Sequence, residues 1–512
     1  MTNWPTLTHW QVIKMSKTTK VIRAGVTGVT GLVSAGAVAL GIAALVTLPL
    51  PEFVGTAPSL SIAPVPAIQQ RVCPGPLVEV ISQGAEDISF YSTGQAQYSE
   101  ESSEKNFDNF WLEAPDNQNG ALSAAPKVIT VPPGADAESA PLLAGNQTEV
   151  AATEALSGLA AAACTEPAND LWLVGGSTEI GRTTLVTLSN PTDVTATVSL
   201  EVFSEKGYID AVSTEGIIVM PGEQRIVSLA GYAPDAIAPV VRVMSNGGQV
   251  LANLQQSVTR TLAPSGVEWV APGSGLATQQ IIPGVFVAGQ AEHDRSEVGN
   301  VVSDLEPTIR VLIPGEKDSK VNVTLLSSTG KKIEYSANLP AKKVTQLPLA
   351  GIKDGTYTVI LTSQEPLVAG IRTVQGADTG TTTPAAPVDP AAPVVPAAAE
   401  TGGDFTWLSS SSFLTDQILV PVPAGPAPTV TFYNPANRTA DITLSAQGQK
   451  DITLKVKAGE MVTSPLSADT KYNVKGVEGL VGGLTFSGSG IGSAIALNPA
   501  NVLGSSITVY PR

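Results

Sequence analysis

Two hydrophobic patterns divide the chain. Residues 24–48 form an apolar run without a single ionisable side chain. From about residue 71 onward, apolar residues recur at every second position in many short segments. The first pattern is typical of a membrane-spanning helix, which needs about 20 mainly apolar residues. The second pattern is typical of β-strands that bury one face of a sheet.

The residues around the apolar run give it a direction. Lys14, Lys17, Lys20 and Arg23 precede it, and the first 23 residues contain no acidic side chain. Positive charge beside a span stays in the cytoplasm, so residues 1–23 are predicted to be a cytoplasmic tail and the body to be extracytoplasmic. The alternative is a signal peptide that is cleaved to give a secreted chain, although such peptides usually have a shorter apolar core. Residues 49–70 are rich in proline, which predicts an extended stalk.

The alternating segments predict an all-β body. Val194–Val202, Val321–Leu325 and Ala440–Ala446 alternate clearly, and modules of about 100 residues with such strands suit Ig-like β-sandwiches. We therefore predict an N-terminal transmembrane helix followed by tandem Ig-like β-sandwich modules. The boundaries are residues 71–171 for an acidic, partly irregular segment, 172–264, 265–375 and 405–512 for modules 1, 2 and 3, and 376–404 for a Pro/Ala/Thr linker.

The three modules repeat one another weakly. Each is predicted to open with a tryptophan followed by small residues, at Trp172, Trp269 and Trp407. Each is predicted to close with a hairpin, for example at residues 241–258. Repeats that agree in order argue for duplication of one unit. In the acidic segment, residues 127–131 are predicted to be a strand, and the Ala-rich residues 149–163 are predicted to be a short helix.

Charge and cysteine content narrow the function. The net charge is −16, and residues 71–171 alone hold 15 acidic and 3 basic side chains. Nucleic acid binding needs a basic face, so nucleic acid is not an expected partner. Cys73 and Cys164 both follow the apolar run, and outside the cytoplasm such a pair usually forms a disulfide. The alternative is two unpaired structural thiols.

Several of these motifs resemble a known family. The basic-flanked anchor, Cys73-Pro74-Gly75-Pro76, the second cysteine before Trp172-Leu173-Val174-Gly175-Gly176, and Leu188-Ser189-Asn190-Pro191 are similar to an uncharacterised family of actinobacterial envelope proteins. The resemblance would cover most of the exported chain. It implies a cell-envelope location in a Gram-positive actinobacterium, and it carries over no catalytic residue.

Candidate chemistry is sparse. His293 is the only histidine of the predicted exported body and lies in a polar insertion, where a solvated loop residue is the simpler interpretation. Glu100, Glu101, Glu104 and Asp108 could serve a hydrolase or hold a divalent cation, but carboxylates in a polar stretch are usually a solvated surface. The three tryptophans could stack on a sugar, although a packing role explains their repetition more simply. No cofactor or metal is predicted.

We therefore expect a non-enzymatic, membrane-anchored envelope protein that acts as a scaffold or as an adaptor to other envelope proteins. The first alternative is a protein that binds cell-wall polysaccharide or exopolysaccharide. The second is an envelope hydrolase that uses His293 or the acidic segment.

Overall fold

The computed structural model describes residues 60–62, 68–82, 88–92, 94–121, 124–132, 141–211, 214–260, 262–288, 306–349, 352–375, 403–497 and 507–509. Backbone contacts divide the chain into two units. In the smaller unit, the strands Leu60–Ile62 (β1) and Ile507–Val509 (β34) pair in antiparallel fashion. The larger unit, Ala63–Ser506, contains all other described strands.

The strands of the larger unit form four successive β-sandwiches, which we call I to IV. Sandwich I comprises β2 Gln69–Val72, β3 Val78–Ser82, β4 Ile88–Ser92, β5 Gln97–Ser102, β6 Asp108–Trp111, β7 Lys127–Val131, β8 Leu143–Ala152 and β9 Ser157–Cys164. Sandwich II comprises β10 Asp170–Val174, β11 Arg182–Asn190, β12 Ala196–Ser204, β13 Gly207–Ile209, β14 Ile217–Val219, β15 Glu223–Ser228, β16 Val240–Gly247, β17 Leu251–Arg260 and β18 Ala263–Val270. Sandwich III comprises β19 Ala277–Val287, β20 Thr308–Leu312, β21 Ser319–Ser327, β22 Lys332–Leu339, β23 Thr345–Pro348, β24 Gly355–Val374 and β25 Phe405–Ser409. Sandwich IV comprises β26 Gln417–Val422, β27 Thr429–Tyr433, β28 Ala440–Ala446, β29 Ile452–Val456, β30 Met461–Pro465, β31 Thr470–Lys475, β32 Val481–Ser487 and β33 Gly492–Leu497.

Sandwiches II, III and IV share one topology, with eight strand positions that we letter a to h in chain order. In sandwich IV, one sheet has the order a-f-c-d (β26-β31-β28-β29) and the other has the order e-b-g-h (β30-β27-β32-β33). Sandwich II has the same two orders, with β13 and β14 sharing position d. In sandwich III, β24 is a single strand of 20 residues that supplies both f and g. The shared order agrees with the predicted duplication of one unit.

The acidic segment, which is predicted to be partly irregular, contains a fourth, reduced copy of this unit. Its sheets have the orders β2-β7-β6 and β5-β8-β9, which correspond to a-f-c and b-g-h. A hairpin of β3 and β4 is inserted between positions a and b. The predicted strand at Lys127–Val131 is confirmed as β7. The predicted helix at residues 149–163 is wrong, because that stretch forms parts of the paired strands β8 and β9.

The repeated Asn-Pro motif has one structural role in both copies. Asn190 and Asn434, each at or just after the end of strand b, are fully buried. The side-chain amide of Asn190 donates to the carbonyls of Val194 and Val219. Asn434 donates in the same way to Arg438 and Val456. The motif therefore fastens the b–c turn to strand d or to its end.

The h strands join the sandwiches in a ring. β9 contacts β18, β18 contacts β25, β25 contacts β33, and β33 contacts β9, so that sandwich IV closes onto sandwich I. At one equivalent position, each h strand inserts a side chain into the hydrophobic cluster of the preceding sandwich. These side chains are Trp269 of II packing on I, Trp407 of III on II, Ala494 of IV on III, and Ala161 of I on IV.

Two other predictions on domain organisation differ from the structure. The Pro/Ala/Thr segment does not separate two modules, since the backbone N–H of Gln375 donates to the carbonyl of Asp404 at 2.7 Å. Both ends of the segment thus lie side by side, and β25 continues the sheet of sandwich III. The predicted closing hairpins are wrong as well, because positions f and g lie in opposite sheets in sandwiches II and IV.

The predicted anchor lies outside the described residues, together with Lys14, Lys17, Lys20 and Arg23. Within the described part of the chain, no helix has the length and apolarity that crossing a bilayer requires. The described elements are strands apart from one 3-10 turn, Leu229–Gly231.

Close packing between sandwiches leads to a first prediction. A Cβ atom at Gly370, on strand g of sandwich III, would lie 2.7 Å from the Val174 carbonyl oxygen of sandwich II. We expect Gly370→Val to lower the free energy of unfolding by about 1–3 kcal/mol, the usual cost of overpacking. Urea denaturation measures this. Gly315→Val is the matched control, since a Cβ there meets nothing within 4 Å. Equal effects of the two changes would contradict the packing described here.

Candidate functional site

The three tryptophans from the sequence lie in contacts between sandwiches. Trp269 and Trp407 occupy the same register position, the one that inserts into the preceding sandwich. Trp172 lies instead on β10, at position a, where it stacks on Phe203 at 6.1 Å and clusters with Leu312 and Val368 of sandwich III. The side chains of Trp172, Trp269 and Trp407 are 6%, 2% and 4% exposed. None of the three rings presents a face on which a ligand could stack.

Two buried carboxylates meet a serine in the middle of the ring. We call Glu268, Asp404 and Ser493 the central carboxylate cluster. Glu268 comes from β18 of sandwich II, Asp404 immediately precedes β25 of sandwich III, and Ser493 lies on β33 of sandwich IV. All three are at most 4% exposed. Sandwich I contributes backbone N–H groups from β9, so all four sandwiches take part.

Asp404 is an acceptor for backbone donors of every sandwich. Its carboxylate accepts the N–H of Leu159 at 2.8 Å, of Phe405 at 2.9 Å and of Gly492 at 3.3 Å. The N–H of Val267 also donates to it. Desolvation raises the pKa of Asp404 to about 7, although these four donors oppose the shift. The carboxylate needs room, which glycine provides, since a Cβ at Gly158 would lie 2.5 Å from its Oδ1.

Glu268 bridges three sandwiches. Its carboxyl accepts the N–H of Trp269 at 2.9 Å and of Ala161 at 3.3 Å, and the Ser493 hydroxyl lies 2.8 and 2.7 Å from its two oxygens. Burial raises the pKa of Glu268 well above its ordinary value, and the nearby Asp404 adds to the shift. Burial therefore favours the neutral acid over the carboxylate, and its proton can be shared with Ser493.

A serine beside a carboxyl is chemically suggestive, but the surroundings do not admit a substrate. The adjoining cavity, which Ser493, Thr406 and Gln375 help to line, has a volume of only about 10 Å³. Such a space holds at most one water molecule. The hydrogen bonds of the cluster are also directed at backbone groups of neighbouring sandwiches. The arrangement therefore suits the stabilisation of the ring.

A buried arginine joins sandwiches II and III in a similar way. Arg310 on β20 is 1% exposed, and its guanidinium donates to the carbonyls of Gly176 and Pro239 at 2.8 and 2.9 Å. The guanidinium carbon lies 4.7 Å from the centre of the Trp407 ring. Burial lowers the pKa of Arg310, with Arg372 as the second cause. Carbonyl dipoles and an aromatic face thus surround this cation.

The other predicted residues divide into four groups. The disulfide Cys73–Cys164 is confirmed, and it joins strand h of sandwich I to the residue after strand a. Glu100 forms an ion pair with Lys127, and Glu101 forms one with Lys471 of sandwich IV. Glu104 and Asp108 are exposed. His293 lies outside the described residues.

Glu268, Asp404, Ser493 and Arg310 were missed by the sequence analysis. Each lies in a strand or beside one, and none belongs to a motif with chemistry of its own. One weak signal was available, since Glu268 is a charged residue within Val267–Val270, an otherwise apolar stretch. A charge at such a place in a buried strand usually has a specific partner.

Comparisons with known proteins add little to the geometry. A profile for a family of unknown function, DUF5719, matches residues 119–460, which is more than half of the chain. No curated protein matches the chain. Among solved structures, "Crystal Structure of Thermotoga maritima 1070" has 18% identity and covers 19% of this chain and 78% of its own, with a TM-score of 0.15. That score is too low to support any argument.

The geometry of Glu268 leads to a second prediction. We expect Glu268→Gln to change the melting temperature little, because an amide resembles the neutral acid in shape and hydrogen bonding. Glu268→Ala should cost about 2–4 kcal/mol, since it leaves buried N–H and hydroxyl groups without an acceptor. Denaturation in urea measures both, and Glu154→Ala on the surface is the control. If Gln costs as much as Ala, the neutral acid is not the form that the fold requires.

A third prediction concerns pH. The pKa of Asp404 rises from 3.8 to about 7 on folding. Between these two pH values, the folded chain keeps a proton that the unfolded chain has lost. Stability from this group is therefore complete below about pH 4 and is lost as the pH rises to about 7. Melting temperatures of the wild type and Asp404→Asn are compared from pH 5 to 8.

The wild type should lose more stability than Asp404→Asn over that range, whatever the absolute stability of the variant. Glu268 titrates in the same direction, so the comparison is repeated in the Glu268→Gln background. Asp451→Asn, at an exposed position, serves as the control. A difference between wild type and Asp404→Asn that stays constant with pH would refute the assignment.

Proposed function

Since the chain belongs to DUF5719, a family of unknown function, we propose a role from its own structure: a non-enzymatic, membrane-anchored scaffold or adaptor of the cell envelope. The observation that carries this proposal is the closed ring. Four sandwiches insert side chains into one another in cyclic order. A body built in this way keeps its outer surfaces in fixed relative positions.

The use of the carboxylates supports the non-enzymatic part of the proposal. Glu268 and Asp404 are occupied by backbone N–H groups, which leaves no acceptor directed at an open surface. Glu100 is likewise held by Lys127. A defined turnover by the purified chain that Glu268→Gln abolishes without a loss of stability would overturn this part.

The disulfide supports an extracytoplasmic location. Cysteine pairs persist as disulfides in oxidising compartments and are rare in the cytosol. In the structure, Cys73 and Cys164 are joined in such a bond. The apolar run at residues 24–48 and the basic residues before it supply the anchor and its orientation in this proposal. An actinobacterial envelope is the setting that the sequence resemblance suggests.

A labelling experiment tests the location, which is our fourth prediction. Ser16→Cys places a thiol before the apolar run, and Ser467→Cys places one on an exposed turn of sandwich IV. In intact cells, a membrane-impermeant maleimide should label Ser467→Cys and should label Ser16→Cys only after permeabilisation. The native cysteines are bonded to each other and give a low background.

Two results would contradict the proposed location. Equal labelling of both variants in intact cells would place both ends of the chain on one side of the membrane. Release of a soluble chain that lacks residue 16 would show cleavage and secretion instead of anchoring.

A further inference from the structure

A polar cleft opens where the ring closes, between sandwiches IV and I. It has a volume of about 580 Å³, within the usual range of 300–1,000 Å³ for ligand sites. Its walls come from the end of β5 in sandwich I and from the a-f-c sheet of sandwich IV. The lining includes Glu101, Ser445, Gln447, Asp469, Lys471 and Tyr472.

The position of the cleft follows from the difference between sandwich I and the other three. In II, III and IV, strand e pairs with the outer edge of strand b. The preceding sandwich contacts this strand or the residues beside it. In sandwich II, for example, Arg225 on strand e forms an ion pair with Asp116 of sandwich I at 2.7 Å. The described residues of sandwich I include no strand at position e. The IV–I contact is therefore less filled than the other three.

The lining consists mostly of neutral hydrogen-bonding groups. Hydroxyls and side-chain amides predominate, and Leu419 is the single aliphatic residue. The Tyr472 ring is buried, with its hydroxyl donating to Gln449 at 3.3 Å. Gln447 and Gln449 are exposed at the mouth. Such walls offer many donors and acceptors and little apolar surface.

The charges of the cleft select against anions. Glu101 and Asp469 outnumber Lys471, and Lys471 is already paired with Glu101 at 3.2 Å. Residues 71–171, which include the wall from sandwich I, carry a large acidic excess. A ligand with carboxylates or phosphates would be repelled, whereas a neutral or amine-bearing ligand would not.

From these observations we propose that the cleft binds a short, neutral or amino-substituted oligosaccharide. The hydroxyls and side-chain amides of the walls are the donors and acceptors with which sugar hydroxyls form hydrogen bonds. An extended peptide is disfavoured, because strand addition draws specificity from pockets for alternate side chains, and Leu419 alone provides no such series. β28 and β31 are interior strands with both edges paired, and the edge strand β5 reaches the cleft only with its end, Glu101 and Ser102, so it offers little backbone for strand addition. The inference does not depend on the scaffold role or on the location of the chain.

Calorimetry with the full-length chain tests the inference, which is our fifth prediction. The chain is purified in a zwitterionic detergent, because detergents with sugar headgroups would compete for the cleft. Chitotetraose, cellotetraose, maltotetraose and a glucosamine tetramer are the probes, and tetragalacturonate is the anionic comparison. We expect saturable binding of at least one neutral or amine-bearing probe and none of tetragalacturonate.

Variants then place the binding site. Gln447→Ala removes an exposed lining amide, and we expect it to weaken binding at least fivefold. Ser445→Trp, which fills the cleft from an adjacent position, should abolish binding. Gln118→Ala changes an exposed glutamine elsewhere and should leave the affinity unchanged. Melting temperatures show that each variant remains folded.

Three results would overturn the proposal. The first is no saturable binding to any of the sugar probes. The second is binding that neither Gln447→Ala nor Ser445→Trp weakens. The third is binding of an alternating Thr-Val octapeptide to the cleft in place of the sugars, which would identify a strand-like peptide as the occupant.

Discussion

The side chain that each h strand inserts into its neighbour is the contact on which the architecture depends. The core of a sandwich lies between its two sheets, and the open edges between the sheets must be covered to exclude water. Here part of that cover comes from the next sandwich along the chain, as when Trp407 of sandwich III joins the cluster of sandwich II. Ala161 of sandwich I joins the cluster of sandwich IV in the same way. Each sandwich therefore receives a side chain from another, and the four contacts form a closed cycle. Each of the four cores thus includes a side chain from another sandwich, so we expect the four to unfold as one cooperative body.

The polar centre follows from this arrangement. Strand h lies at the edge of its sheet, so its outer N–H groups point toward the middle of the ring, where water is excluded. Buried N–H groups must find acceptors, and a carboxyl group accepts more hydrogen bonds than any other side chain. Asp404 satisfies donors from all four sandwiches, and Glu268 and Ser493 satisfy Ala161 and one another. Gly158 and Gly266 leave the room that Asp404 occupies, since a Cβ at either would lie within 3 Å of its Oδ1.

The local sequence pattern was sufficient to predict many of the strands, but it was insufficient to predict how the strands assemble. Alternation located β12, β21 and β28, and the repeats indicated duplication, because both signals depend on neighbours along the chain. The Ala-rich residues 149–163 were assigned to a helix because helix propensity favours alanine. Small side chains are instead needed at these positions because β9 packs closely against neighbouring sandwiches. This tertiary packing overrides the helix propensity of alanine. The equivalence of Trp172 with the other tryptophans failed for a related reason, since similar sequence around them hides different strand positions.

The ring also restricts where function can lie. The repeated interfaces bury the tryptophans that the sequence singles out, and they also bury Glu268 and Asp404, the carboxyl groups with the most strongly raised pKa values. Three of the four interfaces are built alike, with strand e against or beside the preceding sandwich, and their surfaces are used for assembly. The fourth interface must close the ring with a reduced sandwich, and so it retains an open polar surface. The three similar interfaces therefore stabilise the ring, and the interface between sandwiches IV and I, which differs from them, provides the surface that is free to bind a ligand.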